Sequence, residues 1–163
     1  MERVAVLRRV GVVVGLGIAL ATAAACGANA GAAAPAPQTM QETVTRFLGA
    51  VKGNDLGRMG QLWGSERGAA ATWMKPEELS QRLTVIQKYL AHTGSRVVEG
   101  PLAVPGKANL RTFRVELQRP QCTRVVPLDV IQTSAGGWVV YDVHLEAAGN
   151  PVQACTPPGG TRP

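Results

Sequence analysis

The hydrophobic positions of this chain repeat with a helical period from about residue 40 to about residue 90, and with a strand period beyond it. Met40, Val44, Phe47, Leu48 and Val51 recur at offsets of 0, 4, 7, 8 and 11, which is one stripe along a helix. Thr39-Met40-Gln41-Glu42 stands in front of them as a capping box, with the Thr oxygen and the Glu side chain satisfying early amides, and Gly53 supplies the stop. A second, short helix is predicted to start at Asn54 or Asp55, with Leu56, Met59, Leu62 and Trp63 on its inner side. "GSERGAAATWM" then reads as a connecting loop that carries Trp73. Lys75-Pro76-Glu77-Glu78 starts a third helix, with proline in the first turn and acids near the positive end of the dipole. Its stripe is Leu79, Leu83, Ile86 and Leu90, and Gly94 ends it.

From Arg96 the period falls to two. Arg96 to Val104 is predicted as a strand, interrupted at Pro101 or ended near Pro105-Gly106. Lys107 to Arg119 alternates Phe113, Val115 and Leu117 against Arg114, Glu116 and Gln118. Cys122 to Thr133 sets Val126, Leu128 and Val130 on one face and Val125, Pro127 and Ile131 on the other. After the turn "SAGG", "WVVYDVHLEA" alternates Val139, Tyr141, Val143 and Leu145 against Trp138, Val140, Asp142 and His144. Long strands joined by short turns form an antiparallel meander. The fold class that follows is α+β, with N-terminal helices packed on a curved antiparallel sheet of about four strands.

The first residues follow neither period. Arg3, Arg8 and Arg9 form a basic head, followed by an uncharged run of 16 residues from Val10 to Ala25. As a helix that run measures about 24 Å, against roughly 30 Å of bilayer hydrocarbon, which suits a signal peptide better than a span. Small residues then lead into Cys26: "ALATAAACG" resembles a bacterial lipobox, in which the Cys is lipidated and becomes the new N-terminus. Ala23 occupies the position where that pattern prefers Leu, whereas Gly27 and the uncharged stretch "GANAGAAAPAPQ" fit a lipoprotein tether. Cleavage at Ala21-Thr22-Ala23 or Ala28-Asn29-Ala30 would instead release a secreted protein, and an uncleaved anchor is a third outcome. The division expected is signal peptide 1–25, tether 26–38, folded domain 39–147 and C-terminal tail 148–163.

Composition narrows the partners. Losing the first 25 residues removes three arginines and one glutamate, so the net charge falls from +6 to about +4. That excess is spread along the chain and forms no basic stripe, so no nucleic-acid partner is expected. Cysteine count bears on export: if Cys26 carries lipid, Cys122 and Cys155 remain as an even pair. A bridge between them would close a loop of about 34 residues and contribute about 3–4 kcal/mol. It would also pin the Pro/Gly-rich tail; two unbridged thiols are the alternative. No CxxC, HxxxH, GxSxG or phosphate loop is present, so neither a catalytic motif nor a metal or other cofactor is indicated.

The segment "TVTRFLGAVKGNDLGRMGQLW" and the closing "GGWVVYDVHL" together resemble the NTF2-like (cystatin-like α+β) superfamily, particularly its small bacterial lipoproteins. The similarity runs from about Met40 to Glu146. It implies a sheet wrapped around the long helix as a cone, with a cavity that serves isomerases or dehydratases in some members and binding in others. Trp63, Trp138, Asp142 and His144 are the candidate cavity residues, with Asp142 and His144, at i and i+2, as an acid/base pair of the enzymatic reading. No residue aligns with the catalytic motif of the enzymatic members. The reading is therefore an exported, lipid-anchored binding or accessory module on the extracytoplasmic side. Its expected partners are the membrane, a small ligand or an envelope protein, and a second copy of itself. A cavity enzyme or a structural envelope protein are the alternatives.

Overall fold

Thr39 opens the first helix: its hydroxyl accepts the Glu42 N–H at 3.2 Å, and helix α1 runs Met40–Lys52. The capping box is only half made, because the Glu42 carboxylate pairs with Arg46 one turn on. Val44, Phe47, Leu48 and Val51 are buried as the stripe requires. Asp55 caps helix α2 (Leu56–Leu62), its carboxylate accepting the Arg58 N–H at 2.9 Å. The segment expected as a loop folds further: β1 (Gly64–Ser65) and β2 (Gly68–Ala69) form a small hairpin, followed by a 3-10 turn at Ala70–Thr72. Helix α3, Pro76–Leu90, then buries Leu83, Ile86 and Leu90.

Four antiparallel strands follow in the order β3-β4-β5-β6: Gly94–Val104, Lys107–Gln118, Thr123–Gln132 and Trp138–Val143. β3 continues through Pro101 with shifts of register on either side, which an edge strand tolerates because one flank has no ladder to keep. Pro127 sits in an inner strand for a geometric reason. Both main-chain polar groups of an antiparallel strand residue point to the same neighbour, and the Pro127 carbonyl accepts from His144 N–H at 3.1 Å. Its missing N–H therefore faces the side where β6 has already ended at Val143. The chain expected to continue as strand beyond that point turns instead into the short helix α4, Leu145–Ala148.

The computed structural model describes residues 36–151 and 153, all within one compact unit. The expected signal peptide, Cys26, most of the tether and Cys155 lie outside them. Cys122 is disulfide-bonded, and both of the other cysteines fall outside the described residues. Among the described residues no helix is long and apolar enough to cross a membrane. The architecture is α+β, with one main core made by α1, α2 and α3 against one sheet face. Phe113, Val115, Leu117, Val126, Leu128, Val130 and Val140 come from the strands and Val44, Phe47, Leu83 and Leu90 from the helices. Arg119, at the end of β4, ties the far side together. Its guanidinium donates to the carbonyls of Tyr89, Ala91 and Ala148, satisfying the C-terminal ends of α3 and α4.

Candidate functional site

The carboxylates of the sheet collect on the face turned away from the helices, whereas Arg111 and Arg124 stand in register with the core-facing Val130 and Leu117. Strict alternation would put Asp142 on the core side with Trp138 and Val140, but the ladder breaks in between. Val130 pairs with Val140 while the next residue back, Asp129, pairs with Asp142, so Tyr141 is an extra residue in β6. This β-bulge carries both Tyr141 and Asp142 to the outer face and returns Val143 to the core. The four expected cavity residues are thereby separated. Trp138 packs against the helix-side core, whereas Asp142 and His144 stand on the opposite face.

On that outer face a row crosses three strands: Thr112 on β4, Asp129 on β5 and Asp142 on β6. The Thr112 hydroxyl donates to Asp129 Oδ1 at 2.5 Å, and His144 Nε2 lies 3.2 Å from Asp129 Oδ2. On the other side of the ring, His144 Nδ1 lies 3.3 Å from Glu146 Oε1. Asp142 Oδ1 accepts the Val143 N–H at 2.8 Å. One donor atom from each of Asp129, Asp142 and His144 lies within 4.8 Å of the other two. Asp129 is largely covered and His144 about one-third exposed, with side-chain accessibilities of 14% and 36%. Burial alone would lower the imidazole pKa. The hydrogen bond to Asp129 and the charges of Asp129, Asp142 and Glu146 outweigh it and leave the pKa raised.

Asp142 also borders a cleft of about 340 Å³ beside the edge of β6, lined with Trp63, Trp73, Tyr141 and Arg82. Trp63 reaches it from the end of α2, where its backbone bridges Val140 in parallel and its ring is half-buried against the core. The Trp73 indole N–H donates to the Gly68 carbonyl, and the Arg67 guanidinium stacks 4.2 Å from the Trp73 ring centre. Trp63 and Asp142 thus share one cleft, Asp142 and His144 share one cluster, and Trp138 belongs to neither. Nothing in the sequence alone singles out Asp129 or Thr112; only the register of three strands brings them to His144.

The sequence matches no protein-family model and none of the characterised proteins compared with it.

Proposed function

We propose that this chain is an exported bacterial lipoprotein, held at the cell envelope through lipid on Cys26 and carrying one NTF2-like domain that acts as a binding or accessory module. The tether 26–38 sets the domain off from the membrane on its extracytoplasmic side. The lipobox-like run before Cys26 supports the anchor, and the order of three helices followed by a four-stranded meander supports the family. The cone form of the sheet is part of this reading.

What favours binding over chemistry inside a cavity is the division of the sheet. Its helix side is filled by buried apolar side chains, while Thr112, Asp129, Asp142 and His144 are displayed on the other face. A dehydratase or isomerase needs its acid and base where water is excluded, and Asp142 is exposed. The runner-up remains a cleft enzyme using Asp142 and His144, favoured by the two tryptophans that share a cleft with Asp142.

The anchor is tested by intact mass spectrometry of the chain produced in a bacterial host, wild type beside Cys26→Ser. The expected species begins at Cys26 with a diacyl or triacyl mass that the variant lacks. An unmodified chain starting near Ala24 or Gly31 would replace the anchored reading with a secreted one. The same spectra with and without reductant report whether Cys122 and Cys155 are bridged.

A further inference from the structure

Two aspartates face each other directly across the β5–β6 ladder, Asp129 opposite Asp142. Like charges in directly opposed cross-strand positions destabilise a sheet. Glu146 adds a third carboxylate on the far side of the His144 ring. A divalent cation bound at His144 Nε2 takes the place of a proton there and leaves one negative charge where three carboxylates surround a neutral ring.

The donors are also oriented for one. Each of the three has a second partner that fixes it from behind: Thr112 Oγ1 on Asp129 Oδ1, the Val143 N–H on Asp142 Oδ1, and Glu146 on His144 Nδ1. A carboxylate on the rear nitrogen of a ligating histidine, leaving the front nitrogen for the ion, is a recurrent outer-shell arrangement of metal sites. The front atoms, Asp129 Oδ2 and His144 Nε2, are 3.2 Å apart. Donors bound at about 2.0–2.2 Å to one zinc ion are on the order of 3–3.5 Å apart, so this pair already has the required spacing. Asp142 adds a third donor atom, within 4.8 Å of one on each of the other two.

We propose that Asp129, Asp142 and His144 form a binding site for a divalent transition-metal ion of the zinc class, on the outer face of the sheet beside the Tyr141 bulge. An imidazole among the donors selects such an ion over Mg²⁺ or Ca²⁺, which take oxygen ligands. Three protein donors leave the remaining positions to water. The site goes beyond the lipid-anchored reading and does not depend on it.

The test is equilibrium dialysis of the chelator-treated full chain in detergent against Zn²⁺, with bound metal counted by mass spectrometry. One ion per chain is expected, retained against a large excess of Mg²⁺. Asp142→Asn and His144→Gln should each weaken binding at least about a hundredfold, and Thr112→Val, which frees Asp129 Oδ1, by about tenfold. Glu99→Gln, on the same face but outside the cluster, should leave affinity unchanged. Co²⁺ loaded in place of Zn²⁺ should show visible d–d bands in the wild type that His144→Gln abolishes. Failure to take up one ion would overturn the proposal, as would displacement by Mg²⁺. So would uptake that survives in both ligand variants, which would place the metal on thiols or on the tail. If Asp142→Asn fails to fold, His144→Gln decides alone.

Discussion

The two faces of the sheet are built from the same strands and by opposite rules. Toward the helices, Phe113, Val115, Leu117, Val126, Leu128 and Val130 form an unbroken apolar surface, every one of them essentially inaccessible to water. Toward the outside, the same strands present Arg96 with Glu116, Glu99 with Arg114, and Thr112 with Asp129 and Asp142. At one end the outer face is again apolar, where Leu110, Ile131 and Val139 are buried with Ala36 and Val104. Most of the stability resides on the first face, because the gain from apolar area removed from water grows with that area and needs no group in a particular ionisation state. Chemistry resides on the second, because there carboxylates and imidazole keep access to solvent while neighbours hold their orientation. A substitution should therefore cost most in folding on the inner face, and most in titration or binding at the ionisable part of the outer one.

The strongest test of that division is a large-to-small change on the inner face. Phe113→Ala should cost about 3–5 kcal/mol, read as a fall in the urea midpoint with unchanged slope. The structure gives the reason: Phe113 is fully enclosed between the sheet and the helices, and its ring also packs against the backbone at Gly100, where a Cβ would lie 2.8 Å from it. A loss below about 1 kcal/mol would mean that the inner face is loosely filled, which would restore the cavity reading.

Next in size is the cluster itself. Asp129→Ala leaves the Thr112 hydroxyl and the His144 ring without their acceptor, and should cost about 1–3 kcal/mol in metal-free protein. Asp129→Asn keeps an oxygen for Thr112 and should cost less. If Asp129→Ala proved stabilising, repulsion between Asp129 and Asp142 would dominate the apo cluster and the hydrogen bonds would count for little. Smaller still is the Glu99–Arg114 pair, 2.9 Å apart but about half exposed on both sides. A double-mutant cycle should return about 0.2–1 kcal/mol, shrinking as salt is added.

Most of the inner face was legible in the sequence, whereas of the outer site only Asp142 and His144 were, for one physical reason. Burial imposes a period on every residue it touches, so Phe113, Val115 and Leu117 identify their face before any partner is known. A site built across three strands depends on register, which alternation alone does not encode. The bulge at Tyr141 shows this most directly. Period-two reading assigns Asp142 to the same side as Trp138 and Val140, and a single extra residue reverses it. Likewise the hairpin at Gly64–Ala69 is too short to show any period. Its anchor, a carbonyl of Glu66 accepting the Ser134 N–H, joins residues far apart in sequence.

The finest test sets the two histidines against each other, since they lie in opposite electrostatic surroundings. His92 donates from Nδ1 to the Leu90 carbonyl; burial lowers its pKa, that hydrogen bond partly offsets the drop, and the charges of Lys52 and Arg119 lower it further. With its folded pKa below the unfolded 6.5, protonation favours the unfolded chain. Its contribution is complete above that value and is lost as pH falls from 6.5 towards the lowered folded value. His144 runs the other way: its raised pKa adds stability that is present below 6.5 and is lost as pH climbs through the folded value. In chelator-treated protein, His92→Asn should flatten the acid side of the stability profile and His144→Gln the side above 6.5. Both effects are small, because neither ring is fully enclosed. If both variants flattened the same limb, the contrast between a carboxylate-held imidazole at His144 and a desolvated one at His92 would fail.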